Sequence, residues 1–386
     1  MDVVNIGEER YLEAIRLSEY AFQNRVADEQ LEERLTHLKK HQQLIGIIEE
    51  DALVAKLHFL PLEVYVGDMK IKMGGIAGVA TYPEFRRNGF VKEMLITILE
   101  RMRSEGYSIS MLYPFSVPFY RRYGWELFSN RIKATMSKSD LHFQAATEGK
   151  IRRMFNSPPI QELNDLYETY AKNYSGMLVR EQDWWEKIVK DQQIAIYYDQ
   201  ANQPSGYIMY TVKNKTMKVE ELVTLNAEAK RGIWNYICQH DSMSDDFEII
   251  THEKEPLLFS INEPRVKLEI TPYFMARIVD VELLFKTYVL NWGSDIEELV
   301  LQVSDSYAAW NDKTFVLTPN KIFIEGRDVR REKSLHLSIN ALSTILFGYK
   351  TPSELSEVGQ VKGKREEIEK FERLLPKRAP FFYDFF

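Results

Sequence analysis

At 386 residues the chain has room for two or three domains, and a composition that is 45% hydrophobic and 28% charged is ordinary for a globular protein. A net charge of -7 argues against a dedicated nucleic-acid binder and mildly favours cationic partners. One cysteine, Cys238, permits no internal disulfide, no stretch reaches the roughly 18 apolar residues of a spanning helix, and the first ten residues lack the layout of a signal peptide, so a cytoplasmic location is expected.

In chain order, Tyr11, Leu12, Ile15, Tyr20 and Phe22 predict an amphipathic helix. Residues 44–48 and 52–60 predict strands joined by the acidic turn Glu49-Glu50-Asp51, and 62–66 and 69–73 flank Gly67-Asp68, a hairpin signal. A small apolar strand over 76–81 then leads into a tight basic loop, 86–89. After it Phe90, Val91, Met94, Leu95, Ile98 and Met102 form the one-sided stripe of a helix packed on a sheet, closed by Gly106. Residues 107–113 predict the next strand, so the pattern of layers is α/β.

The strand, loop and helix start over 75–92 make an anion site. Unpaired backbone N–H groups and the positive end of the helix dipole face one point, Gly89 allows close approach, and Arg86, Arg87 and Lys92 add charge. A pyrophosphate suits it. Neither the Gly-Lys-Ser/Thr of a Walker loop nor the Gly-x-Gly-x-x-Gly of a dinucleotide fold is present. Arg86-Arg87-Asn88-Gly89, a few residues past Val79-Ala80-Thr81, resembles the coenzyme A loop of the GNAT superfamily of N-acetyltransferases, with Val91 where many members have Gly or Ala.

Residues 112–126 hold two prolines that limit any helix to a turn or two before an aromatic strand at Tyr123 and Trp125. Their Phe119-Tyr120-x-x-Tyr123-Gly124 string is similar to acetyltransferases whose short helix carries a tyrosine beside the thioester; the structural alternative for Tyr120 is a packing aromatic. From 141 to 277 the plan repeats, with helices over 160–174 and 183–189, strands over 194–198, 207–212 and 218–225, and a loop ending at Gly232 before a helix over 233–239. This second copy is degenerate and is not expected to bind coenzyme A. From Val281 onward, helical stretches at 281–288 and 335–347 and strands at 299–304, 314–318 and 321–325 predict a smaller α+β unit. No metal-ligand spacing occurs, and His58, His240, His252 and His336 each stand alone. The last six residues, Phe381-Phe-Tyr-Asp-Phe-Phe386, hold five aromatics, so this tail is expected to dock rather than fray.

The whole chain resembles the enhanced intracellular survival family of bacterial acetyltransferases. The resemblance rests on Val-Ala-Thr-x-Pro-x-x-Arg-Arg-x-Gly at 79–89, Phe-Tyr-x-x-Tyr-Gly at 119–124 and Pro-x-x-x-Asp-x-Phe at 380–386. It implies an α/β (α+β) fold: tandem GNAT-like domains at 1–138 and 139–280, the second degenerate, then a sterol-carrier-protein-like domain at 281–386. It implies acetyl-CoA as cosubstrate and no metal. Val79, Ala80 and Thr81 would meet the pantetheine and thioester; Arg87, Asn88, Gly89, Phe90, Val91 and Lys92 would hold the pyrophosphate; Phe115 and Ser116 would line the neighbouring strand. Tyr120 matches the general acid and the α-carboxylate of Phe386 the general base, with Asp384 as rival base. A free α-carboxyl has a pKa of about 3.3–3.7, too low for that role unless an apolar site raises it. The expected acceptors are primary amines of aminoglycoside or lysine type, cationic in character, and the expected assembly is a hexamer. The competing expectation is a lipid- or protein-binding module whose first domain is a relic.

Overall fold

The computed structural model describes residues 2–155, 157–293, 295–327 and 332–386, and its strands form three sheets. The first unit runs β1 (Val4–Ile6), α1 (Tyr11–Phe22), α2 (Asp28–His41), β2 (Gln43–Glu49), β3 (Ala52–Val66), β4 (Met69–Thr81), α3 (Phe90–Ser104), β5 (Ile109–Leu112), α4 (Val117–Arg122) and β6 (Glu126–Leu127). Strands β1 to β4 form an antiparallel meander, and β5 then lies parallel to β4. Parallel pairing needs a crossover, and α3 supplies it. Its stripe of Phe90, Met94, Leu95, Ile98, Leu99 and Met102 is buried against Leu57, Phe59 and Ile76. Helix α2 is the element the periodicity misses: among its 14 residues only Leu38 is buried. Its acidic first turn and basic last turn instead suit the helix dipole.

The second unit contains β7 (Asn130–Ser137), β8 (Lys150–Met154), α5 (Ile160–Ala171), β9 (Tyr174–Leu178), α6 (Gln182–Val189), β10 (Gln193–Tyr198), β11 (Pro204–Lys213), β12 (Thr216–Thr224), α7 (Ala227–Cys238), β13 (Asp246–Thr251), α8 (Leu257–Ser260), β14 (Lys267–Pro272) and β15 (Met275–Ile278). An antiparallel run, β10 to β12, is followed through α7 by the parallel strand β13, as in the first unit. The expected loop before the second helix is a correction. Helix α7 begins at Ala227, capped by the Asn226 side chain accepting from Ala229 N–H at 2.8 Å, so Gly232 lies inside the helix against Tyr197. A side chain already satisfies this helix end.

Sheet membership departs from chain order at three points. β7 joins the second sheet between β13 and β14, β15 enters the first sheet between β5 and β6, and β9 pairs with β3. The third sheet has the order β18 (Ile322–Glu325), β17 (Thr314–Leu317), β16 (Leu299–Ser304), β19 (Ser334–Ser338), β20 (Val361–Lys362). The stretch 335–347, expected to be helical throughout, begins as β19 and turns helical at Ile339, where Ser338 caps the new helix by accepting from Ala341 N–H. Arg277 on β15 forms a buried pair with Asp305 of the third unit at 2.6 Å and also donates to Tyr123 O. Asn340 donates to Arg121 O at 2.9 Å and Trp125 O at 3.0 Å. The third unit thus holds the end of α4. No helix among the described residues is long and apolar enough to cross a membrane.

Candidate active site

β4 and β5 pair only from Met73↔Ile109 to Ile76↔Leu112. Beyond that point β4 continues along β3 to Thr81, while the chain after Leu112 turns away into α4. The strands part, and one edge of β4 from Ala77 to Thr81 is left without a strand partner. Gly78, at φ 54°, sits in the bulge where the β3–β4 register shifts. Val79 is half-buried, Ala80 and Thr81 are buried, and the Thr81 hydroxyl has no hydrogen-bond partner. A buried polar edge of this kind calls for a ligand with amide-like groups.

Residues 86–89 are exposed, with Arg87 at φ 69° and Gly89 at φ 84°. A Cβ built on Gly89 would meet nothing within 4 Å, so open space lies above the loop. The first bond closing onto Gly89 comes from Glu93 N–H at 3.1 Å, and no side chain caps the helix, so the N–H groups of Phe90, Val91 and Lys92 precede the helical ladder. Arg87 and Lys92 flank that opening. The arrangement fits a pyrophosphate, and the unpaired strand edge fits the chain that would follow it.

Tyr120 lies in α4, 3% exposed, its ring against Phe115, Phe119 and Trp125 at 5.2–6.4 Å. It shares an apolar cluster with Ile76, Leu112 and Phe90, with Val79 and Val91 at the edge, which places it beside the parted strand ends and the start of α3. Burial raises its pKa above the ordinary tyrosine value. The tail reaches the same parting from the other face. β21 (Ala379–Pro380) pairs with β9, Phe381 and Phe382 are buried, and a Cβ on Gly75 would lie 2.9 Å from the Phe386 ring. Gly75 and Ile76 are successive residues of one strand and face opposite sides of the sheet, so Phe386 and Tyr120 flank the gap from opposite faces.

Asp384, the rival base, is committed elsewhere. Its carboxylate accepts from Arg180 Nε at 3.0 Å and Trp184 Nε1 at 2.7 Å, and Arg180 forks onto Glu221 at 2.9 and 2.6 Å. Its carbonyl accepts from the Tyr273 hydroxyl at 2.9 Å, while the Tyr383 hydroxyl donates to Leu222 O at 2.9 Å. These bonds fix the tail between the first two units.

Leu57 and Phe59 face α3, so Lys56 and His58 alternate to the face that carries the tail. Both are buried. Lys56 Nζ donates to Ser18 Oγ at 2.7 Å and Gly78 O at 2.8 Å and lies 2.7 Å from His58 Nε2, while His58 Nδ1 donates to Gln42 Oε1 at 2.5 Å. His58 is therefore not solitary: it is part of the support under the bulge. Burial, with Arg34 adding repulsion, lowers the Lys56 pKa to about 7, and burial next to Lys56 holds His58 well below its usual range. A lysine depressed in the folded state leaves the unfolded chain holding more protons between about pH 7 and 10, so this group makes stability rise with pH across that window. Denaturation from pH 7 to 10 is expected to show that rise in the wild type and a flatter profile in Lys56→Met.

The structure brings Val79, Ala80, Thr81, Arg87, Asn88, Gly89, Phe90, Val91 and Lys92 to one side of the gap, with Tyr120 and Phe386 flanking it. Phe115 and Ser116 are a correction: they lie in the turn beyond β5, not on the strand, with Phe115 exposed and Ser116 preceding α4. Lys56, His58, Arg180 and Trp184 were not singled out as a site. The readable signal was Lys56-Leu57-His58, two polar residues at alternate positions of an otherwise apolar strand.

Parted parallel strands, an uncapped helix start behind a Gly-ended basic loop and a tyrosine at the fork define an acyl-coenzyme A fold, and the comparisons agree. Residues 2–128 and 176–278 each match an acetyltransferase (GNAT) domain, and 281–383 match a sterol carrier protein domain. The chain is 25% identical over 213 residues to N-acetyltransferase Eis of Mycobacterium bovis, covering 52% of this chain and 53% of that one, so the match spans about half the length of such curated relatives. An uncharacterized N-acetyltransferase of Streptomyces griseus is 22% identical over 355 residues, 83% of each chain. A probable N-acyltransferase of Enterococcus faecalis superposes with a TM-score of 0.91 at 25% identity, over 100% of this chain and 99% of that one. Eis1 from Mycobacterium abscessus shares the fold at a TM-score of 0.84 and 18% identity, over 100% of both chains. The chain carries two GNAT acetyltransferase domains followed by a C-terminal sterol carrier protein domain, and it is similar to Eis proteins in sequence over half its length and in fold.

Proposed function

We propose that this protein is an acetyl-CoA-dependent N-acetyltransferase that acetylates primary amines of aminoglycoside or lysine type. The observation that carries the reading is the gap between β4 and β5, with an anion-ready helix start at one end and Tyr120 and Phe386 on its two faces. Acetyl-CoA supplies the activated acetyl group. Residues 87–92 would hold its pyrophosphate and the edge formed by Val79, Ala80 and Thr81 its pantetheine. Backbone N–H groups on that edge would stabilise the developing oxyanion. The Phe386 carboxylate takes the proton the amine must lose, and Tyr120 gives a proton to the departing thiolate. A cytoplasmic location and a homohexamer complete the proposal.

The alternative, a lipid- or protein-binding module with a relic first domain, predicts no acetyl-CoA binding. Calorimetric titration decides. Acetyl-CoA is expected to bind the wild type, and Gly89→Val to weaken it roughly tenfold, because a β-branched residue at φ 84° costs about 1–2 kcal/mol and turns the helix start away. Absence of binding to the wild type would favour the binding module.

A further inference from the structure

Between the pairs His58↔Ala77 and Lys56↔Ala80, the bulge sets Gly78 and Val79 of β4 opposite the single residue Leu57 of β3. A side chain takes the Gly78 carbonyl: Lys56 Nζ donates to it at 2.8 Å. The other two partners of Nζ fix its charge state. Ser18 on α1 gives its hydroxyl proton to Ala14 O at 3.1 Å, so its oxygen accepts from Nζ at 2.7 Å. His58 donates through Nδ1 to Gln42 Oε1, so Nε2, 2.7 Å from Nζ, is its accepting side. Three acceptors surround one nitrogen. An ammonium has three protons to give them, whereas a neutral amine would turn its lone pair onto one of the three. The geometry selects the charged form, buried among neutral partners.

The amide whose oxygen meets this charge joins Gly78 to Val79. Tyr82 N–H bonds Val54 O at 3.1 Å, and alternate residues of an antiparallel strand face the partner. Ala80 therefore turns its N–H toward β3, and Val79 turns its own toward the edge that β5 has left. No described peptide bond is cis, so the C=O and N–H of one amide point in opposite directions. With its oxygen on Lys56, the Gly78–Val79 amide aims its N–H into the gap. A cation on an amide oxygen draws electrons from the nitrogen and makes the N–H a stronger donor, and away from water its field is little screened.

We propose that Lys56 is a positioning residue for acetyl transfer: its ammonium, acting through the Gly78–Val79 amide, strengthens the Val79 N–H as the donor to the oxyanion. This rests on the acetyltransferase reading and adds a fixed charge behind the oxyanion donor. As the amine nitrogen bonds the thioester carbon, the carbonyl π pair moves onto oxygen, where the Val79 N–H meets it. The pair returns as the C–S bond breaks, and the sulfur leaves with the bonding electrons.

The test compares full-length wild type, Lys56→Met, Lys56→Gln and Ser18→Ala at about pH 6.5, below the value of about 7 to which burial lowers Lys56. Thiol release is measured with a primary amine, and the carbon-13 resonance of acetyl-CoA labelled at the acetyl carbonyl is measured on the proteins without amine. Met removes the charge, Gln removes it but can still donate to Gly78 O, and Ser18→Ala keeps both. Expected in Lys56→Met and Lys56→Gln is a kcat lower by about tenfold or more, short of the roughly 10²–10³-fold cost of losing an oxyanion donor outright. Both KM values should stay within about threefold and Ser18→Ala within about twofold of wild-type kcat, as the donor is weakened and not removed. The carbonyl resonance should lie further downfield in the wild type than in either Lys56 variant. If Lys56→Met does not fold, the Gln variant carries the comparison. Wild-type kcat in Lys56→Gln, an unmoved resonance, a loss confined to KM, or an equal loss in Ser18→Ala overturns the proposal. A displaced resonance in a wild type that turns over no amine would uphold the action of Lys56 on the carbonyl while sinking the transfer reading. Turnover at one kcat in all four proteins would do the reverse, and a wild type that does not bind acetyl-CoA would sink both.

Discussion

Replacing Tyr120 by Phe is expected to lower kcat by about 10²–10⁴-fold, the range of a lost general acid, while acetyl-CoA affinity stays within about twofold. The ring does the packing, against Phe115, Phe119 and Trp125, and no protein group among the described residues hydrogen-bonds the hydroxyl. The substitution therefore removes a proton donor and leaves the apolar cluster intact. The sign of the pKa shift adds a second expectation. Burial favours the neutral phenol, so Tyr120 stays protonated at and above the ordinary value of about 10. The kcat profile should show no alkaline fall from this group up to pH 10. Steady-state thiol release between pH 7 and 10 checks both; a Phe variant with wild-type kcat would return Tyr120 to a packing role.

The second large effect is expected at Arg180. Its side chain is 1% exposed, as is that of Asp384, with Glu221 at 4%. Arg180→Met leaves two carboxylates buried without their cation, and breaking a buried pair from one side costs about 3–5 kcal/mol. The Tyr207 hydroxyl still bonds Glu221 and Trp184 still bonds Asp384, so part of the network survives. The outcome should be a clear loss in chemical denaturation together with loss of acetyl transfer, because the segment that carries Phe386 is held by this arginine. Wild-type stability in Arg180→Met would show that the tail is fixed by its aromatic packing alone.

The first unit was legible because its signals are local. The stripe of α3, the turn at Glu50-Asp51 and the hairpin at Gly67-Asp68 each need only a short window, and each formed where expected. The Gly-ended basic loop ahead of α3 was legible for the same reason. What failed was non-local. Helix α2 buries a single leucine, so no stripe announces it. The entry of β15 between β5 and β6 is a pairing between residues more than 140 apart, which no window contains. Gly232 looked like a loop residue because it follows Lys-Arg, but Asn226 supplies an N-cap and the helix starts earlier. The role of Asp384 was open in the sequence. Its partners appear only when folding sets Arg180 and Trp184, some 200 residues away, against it.

The most direct test of the account is amine-dependent thiol release from acetyl-CoA by the wild type, Tyr120→Phe and a protein with one glycine added after Phe386. The account predicts turnover in the wild type and its loss in both variants, with acetyl-CoA binding retained, because the added residue takes the terminal carboxylate off Phe386. Undiminished turnover in the extended protein, or no amine-dependent turnover in the wild type, would contradict it.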